Sequence, residues 1–291
     1  MNRRLLTLLV FLAAGSLVMA QFRRGGGRRS RSYDGLNTAR EMPSGSTGTP
    51  TWENPRTFNR DVFTFARIRY SSGYGGGFSG GYGGGWLTDA PDSDLNLSYR
   101  LQQMTSLKVD PDGRFVDLTS PELVNFPWVY IVEPGGLYFN DEEVVALRKY
   151  LLNGGFLMFD DFWGDSAWQN VERNMRRVFP DRRFTEMALD HPLYHCVFEI
   201  KAKGQVPNIR TGAESEHTGV TYEWNHDGDV QTVHHRGITD DKGRLMVLAT
   251  HNSDNGDGWE REGESDYYFH NFSEKIAYPL GINIIFYVMT H

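Results

Sequence analysis

The sequence is nearly free of cysteine. Cys196 stands alone among 291 residues, so no internal disulfide can form and the fold must rest on its hydrophobic core. Other absences exclude particular chemistries. There is no GxSxG elbow for a serine nucleophile. There is no HExxH pair of zinc ligands, and Pro192 breaks the helix that His191 and His195 would need to share. Residues 71–86 contain a formal GxGxxG, but so dense a glycine run makes the match uninformative, and the Lys-Ser/Thr of a phosphate loop is missing. Asn252, Asp254, Asn255 and Asp257 have the composition of a calcium loop without the spacing or the distal Glu of an EF-hand. Nothing in these patterns requires a cofactor, and no metal site is expected.

Long apolar runs are also scarce. Residues 5–17 form the longest, shorter than the roughly 20 residues that span a bilayer. With Arg3 and Arg4 before them and Val18-Met19-Ala20 after, residues 1–20 read as a secretory signal. Left uncleaved, the same segment would be a membrane anchor. Positive charge is scarce beyond residue 60. Residues 1–60 carry ten Arg against three acids, leaving 20 basic and 34 acidic side chains in the rest, a net of −14. A domain so acidic repels phosphates and is not a nucleic-acid binder. Residues 21–59 have no hydrophobic period and are rich in Gly, Arg, Ser and Pro, the composition of a disordered linker. Arg23, Arg24, Arg28, Arg29 and Arg31 suit it to peripheral contact with anionic membrane or cell-wall polymer.

What is present centres on residues 147–165. Asn140 and Glu143 have capping-box spacing, and Asp141, Glu142 and Glu143 place negative charge at the positive end of a helix. Val144, Leu147 and Leu151 give that helix an apolar face. Asn153-Gly154-Gly155 ends it. Residues 156–159 are continuously apolar, as in a parallel strand covered on both faces, and Asp160 and Asp161 finish the strand. Trp168, Val171, Met175 and Val178 mark the next amphipathic helix. Residues 128–132 are a second buried strand, 61–70 a first and 245–250 a later one. Strand–helix units in series predict right-handed crossovers and a three-layer α/β sandwich with a mostly parallel sheet over residues 60–291. Residues 197–200 read as a short strand, and residues 204–237 as an excursion carrying a β-hairpin about the turn His226-Asp227-Gly228-Asp229.

Ligands of open α/β sheets bind at the carboxyl ends of the strands, which makes Asp160 and Asp161 the candidate site residues. Adjacent strand residues point to opposite faces, so one of them is expected to cap the following helix, in competition with Asp165, and the other to face a pocket. Trp163, His191 and Tyr194 are candidate ligand contacts, and Asp160, Asp161 and His191 the candidates for catalysis.

The motifs FARIRY, LRKYLLNGGFLMFDD, DHPLY, GRLMVLATHN and LGINIIFYVMT together resemble the bacterial family called Domain of Unknown Function 4159, over about residues 61–291. The resemblance implies a class I glutamine-amidotransferase-like, flavodoxin-like fold. In that wider group the turn after the corresponding strand carries a cysteine nucleophile. Here the corner is Phe159-Asp160-Asp161-Phe162-Trp163, so the resemblance carries over the fold and no glutaminase chemistry. Three functions are compatible with the sequence. The first is an exported domain that binds a small molecule or an envelope component. The second is a hydrolase of carbohydrate or cell-wall material using Asp160 or Asp161 with His191. The third is a non-catalytic envelope scaffold.

Overall fold

The computed structural model describes residues 35–58, 62–72 and 85–291. The signal-like segment, the arginines at 23–31 and residues 73–84 of the glycine-rich loop lie outside the described residues. Among the described residues, no helix is long and apolar enough to cross a membrane.

The chain runs β1 (Ala66–Arg69), β2 (Ser71–Ser72), α1 (Asp92–Met104), β3 (Arg114–Asp117), β4 (Trp128–Val132), β5 (Leu137–Tyr138), α2 (Asp141–Leu152), β6 (Phe156–Phe162), α3 (Gly164–Val178) and β7 (Thr185–Glu186). It continues through α4 (Ile209–Thr218), β8 (His234–Thr239), β9 (Leu245–His251), α5 (Asn255–Glu260), α6 (Asp266–Tyr268), a π-helical stretch (Phe269–Ala277) and α7 (Tyr278–Thr290). Seven strands form one sheet in the order β3-β1-β4-β6-β9-β8-β7. The pairs from β3 through β9 are parallel, and β8 is antiparallel to both its neighbours. The chain order reverses between β1 and β4, which is the topological switch point of a flavodoxin-like sheet.

Both faces are covered, which is why the central strands are apolar throughout. Ala66, Ile68, Val129, Ile131, Leu157 and Phe159 pack against α2 and α3 through Leu147, Leu151, Val171, Met175 and Val178. Phe65, Trp128, Tyr130, Phe156 and Met158 pack on the other side against Leu97 and Leu101 of α1, Trp259 of α5 and Ile282 and Ile285 of α7. The fold is therefore the expected α/β sandwich of three layers. The expected cap of α2 is formed: Glu143 N–H donates to Asn140 Oδ1 at 2.9 Å and Asn140 N–H to Glu143 Oε2 at 2.8 Å.

Several local expectations need correction. The hairpin about residues 226–229 does not form, because its turn is used as a cap. Asp165 N–H donates to Asp227 O at 3.1 Å, and Ser166 donates to the Asp227 carboxylate through its N–H at 3.2 Å and its hydroxyl at 2.6 Å. The excursion holds α4 instead, and its end enters the main sheet as β8. Asn252 also caps α3, accepting Gly164 N–H at 2.9 Å, so Asp160, Asp161 and Asp165 do not serve that end. Residues 197–200 are not a strand. Asn283 of α7 takes their backbone groups, accepting from Val197 N–H at 3.1 Å and Phe198 N–H at 2.8 Å and donating to Phe198 O at 2.8 Å. The Asn/Asp/Gly loop after β9 winds into α5.

Residues 35–58, compositionally a linker, lie along the β3 edge of the sheet. Ala39 is fully buried, and Phe115 N–H donates to Asn37 O at 2.8 Å. Trp52 Nε1 and Asn54 Nδ2 both donate to Val109 O, at 2.8 and 2.7 Å. Covering an edge with irregular chain satisfies backbone groups that would otherwise template pairing with another molecule.

Candidate functional site

The carboxyl ends of β4, β6 and β9, together with the segment that leads into α1, open into one cleft of about 650 Å³. Six carboxylates line it: Asp89, Glu133, Asp161, Glu223, Asp254 and Asp257. Arg261 and His226 are the basic side chains in its wall.

Local devices place five of these acids. Asp89 lies on the segment leading into α1, which the fully buried Arg67 of β1 grips. Arg67 donates to Trp86 O at 3.0 Å, Thr88 O at 2.8 Å and Ser93 Oγ at 2.9 Å, and pairs with the buried Asp94. Glu133 follows β4, with its Oε2 accepting Gly85 N–H at 2.6 Å. Asp254 is the N-cap of α5, accepting Asp257 N–H at 2.7 Å. Asp257 accepts Ile209 N–H at 2.6 Å and pairs with Arg261 Nε at 3.2 Å.

Asp161 enters the cleft through a bulge. The pairing of β6 with β9 shifts between Phe159 and Phe162, and Phe159 and Phe162 both belong to the core on the α2/α3 side. Strict alternation would put them on opposite faces, so one extra residue has been inserted and the side chain of Asp161 is released from both layers. Its φ is +52°. Among the described residues, the other non-glycine residues with left-handed φ are Asp89 (64°), Glu133 (46°) and Asn252 (62°). Three of these four are cleft carboxylates, and Asn252 caps the helix beside them. Such backbone costs about 1 kcal/mol or more per residue and clusters at functional sites.

Asp160 has a different role. It is fully buried on the α1/α5 side, where its carboxylate accepts Thr250 Oγ1 at 2.5 Å, Asn255 Nδ2 at 2.7 Å, Tyr130 OH at 2.9 Å and Gly256 N–H at 3.0 Å. Burial pushes its pKa up and these four donors oppose that rise. Asp160 ties β4, β6 and β9 to the first turn of α5 and so sets the position of Asp254 and Asp257. The two adjacent aspartates do diverge as expected, one into the scaffold and one into the cleft.

The other candidates divide in the same way. Trp163 lines the cleft, with Nε1 donating to Asp161 Oδ1 at 3.3 Å and its ring stacked on His226 at 6.3 Å. His191 and Tyr194 are not in the lining. His191 Nδ1 accepts Leu193 N–H at 3.2 Å and fixes the turn before Tyr194, and its ring packs on Tyr287 at 5.2 Å. Tyr194 is fully buried, its hydroxyl 3.0 Å from His235 Nδ1. The hydrolase reading would need Asp160 or Asp161 beside His191, and of these three only Asp161 lines the cleft. Trp259 is a core residue and Trp168 is covered by Arg236, whose guanidinium lies 4.0 Å from the ring centroid. The exposed tryptophan is Trp224, 77% accessible between the cleft residues Glu223 and Asn225.

The family described as Domain of unknown function (DUF4159) matches residues 64–289. The chain belongs to this family. A search of the curated proteins finds no match. The matched DUF4159 span includes every cleft carboxylate, with both the strand ends and the α5 turn that carry them. Asp89, Glu133 and Glu223 were missed in the sequence because each is a lone acid in a loop. The Asn/Asp run at 252–257 was the one compositional signal, and it supplies Asp254 and Asp257.

The electrostatics of the cleft are unbalanced. Burial first, and then Glu133, Glu223 and Asp160, holds Asp161 well above the usual carboxylate range. Burial with Asp257, Glu260 and Asp161 does the same to Asp89, and burial with Asp161, Asp257 and Asp89 to Asp254. A cation among these groups would oppose that rise, because it favours their charged forms.

Proposed function

We propose that this chain is a ligand-binding α/β domain whose working surface is the acidic cleft, taking a ligand that presents positive charge. The observation that carries this reading is the meeting of six carboxylates from five separate segments at the carboxyl ends of the strands, three of them in left-handed backbone. Left-handed backbone at non-glycine residues clusters at functional sites, and repulsion among neighbouring carboxylates is tolerated where a ligand offsets it. Trp163 in the wall and Trp224 at the rim offer aromatic faces to such a ligand.

The flavodoxin-like strand order and the strand-to-helix corner at β6 support kinship with the class I glutamine-amidotransferase-like fold. The corner holds Asp160 and Asp161 in place of a cysteine, and Cys196 lies elsewhere, half-buried beside Asn283 O, which supports binding without glutaminase chemistry. The signal-like residues 1–20 and the arginines at 23–31 support export, with the basic segment touching anionic envelope material. The test is a thermal-shift screen with polyamines, amino sugars, basic peptides and divalent cations on wild type and Asp161→Asn. A stabilising ligand whose effect is lost in the variant supports the reading. A ligand whose effect survives it contradicts the cleft as the working surface.

A further inference from the structure

Two triads of carboxylate oxygens share Asp89, each with its oxygens within 4.8 Å of one another: Asp89, Asp161 and Asp254, all in the cleft lining, and Asp89, Asp257 and Glu260. The second already has a cation. Arg261 Nε is 3.2 Å from Asp257 Oδ1 and 3.0 Å from Glu260 Oε2. The first has none, since Asp89, Asp161 and Asp254 form no ion pair among the described residues.

We infer that Asp89, Asp161 and Asp254 form a binding site for one hard divalent cation of the calcium or magnesium class. The inference rests on the cleft being the working surface and names what its carboxylates hold. Three oxygens no more than 4.8 Å apart share a point within about 2.8 Å of each. A contraction of a few tenths of an ångström brings them to the 2.3–2.6 Å of calcium–oxygen bonds. The donors are all carboxylate oxygen, the preference of hard cations, with no thiolate or imidazole in the triad. The cleft is open on one side, so water completes the shell.

A second, independent observation points to a ligand. Asp89 Oδ2 is shut off from solvent and accepts no hydrogen bond. A charged oxygen left so in a packed protein costs several kcal/mol unless something binds it. It lies against the backbone of Gly256, where an added Cβ would collide with it. Glycine at that position leaves room for the Asp89 carboxylate.

The experiment is isothermal titration of the full chain, stripped with EDTA, with calcium, magnesium and manganese chlorides in separate arms. Asp89→Asn, Asp161→Asn and Asp254→Asn test the site. Asparagine tolerates left-handed φ and still caps a helix, so these variants keep the fold, and their melting points in EDTA check it. Glu122→Gln, on the exposed face of a remote turn, is the control. The expected result is one cation per chain, with affinity at least ten-fold weaker in each Asn variant and unchanged in the control. Absence of binding by all three cations overturns the inference, as does binding that the Asn variants leave intact. If no cation binds but an organic cation stabilises wild type and not Asp161→Asn, the divalent site is wrong and the cleft reading stands. If a cation binds independently of the triad and the organic ligands act independently of Asp161, both are wrong.

Discussion

Asp89 and Asp161 bring carboxylate oxygens within 4.8 Å of each other from opposite sides of the switch point, one on the segment gripped by Arg67 and the other on the bulged tip of β6. Neither has a counter-ion among the described residues, and both have left-handed backbone, φ 64° and 52°. Stability has been given up at both ends of this contact, which makes it the place where substitutions should depart from ordinary behaviour.

The neighbouring aspartates of β6 should respond in opposite directions. Asp160→Ala leaves Asn255, Tyr130 and the Gly256 N–H without their acceptor in a dry core and Thr250 with Phe159 O alone. A loss of about 3 kcal/mol or more is expected. Asp161→Asn removes repulsion at a position whose φ asparagine accepts. In EDTA it should raise stability by about 1 kcal/mol, or roughly 2–4 °C in a domain of this size. Denaturant and thermal melts of the two variants check the signs.

Arg67 is the positioning residue for Asp89. Arg67→Met leaves Asp94 buried and unpaired and releases Trp86 O and Thr88 O. The expected cost is about 3–5 kcal/mol, with faster amide exchange across residues 85–90. Arg67→Lys should recover little, because one ammonium cannot supply the same fork of donors.

The pH dependence of stability has a definite sign in one window. Burial pushes Glu260 up to about 8, against the pull of Arg261, and Asp89, Asp161 and Asp254 move in the same direction. A carboxyl that holds its proton more tightly when folded contributes fully below its unfolded value, about 4.3 for Glu, and loses that contribution as pH rises through the folded value. Burial moves His235 the other way, to about 3, and His251 to about 4. Their contributions are complete above an unfolded value of about 6.5 and are lost on acidification below it. From pH 6.5 to 8 the raised carboxylates lose their contribution, and His195, held up by Leu189 O and the Glu199 carboxylate, loses its own in the same direction, so the melting point in EDTA should fall across that range. Saturating calcium should flatten the fall.

Residues 35–58 should count as part of the fold. Removing residues 1–34 is expected to leave the melting point unchanged. Removing residues 1–58 uncovers the Ala39 site and takes both donors from Val109 O, and should lower the melting point by several degrees and promote association through the β3 edge.

The layered architecture was legible because its signals are local. A capping box at Asn140, glycines at 154 and 155 and an apolar run at 156–159 each fix conformation within a few residues. The cleft was half legible. Strand ends could be found, so Asp161 and Trp163 were found with them. The roles of His191 and Tyr194 were not legible, since a conspicuous turn looks the same whether it faces a cleft or the core. Nor was Asp89, because what places it is Arg67, whose purpose appears only when β1 and α1 are in contact. The failed hairpin at 226–229 has the same cause: Asp227 prefers the open N-terminus of α3 to a ladder, a choice that depends on tertiary proximity.

The most direct measurement is a titration of isotope-labelled protein with manganese, read as paramagnetic broadening of backbone amide resonances. The expected result is selective loss of signals at residues 88–90, 161–163 and 254–258 at substoichiometric metal, with residues 191–195 unaffected and the broadening abolished in Asp161→Asn. Uniform broadening, or broadening centred on the histidines of residues 191–195, would contradict the cleft as the site of binding.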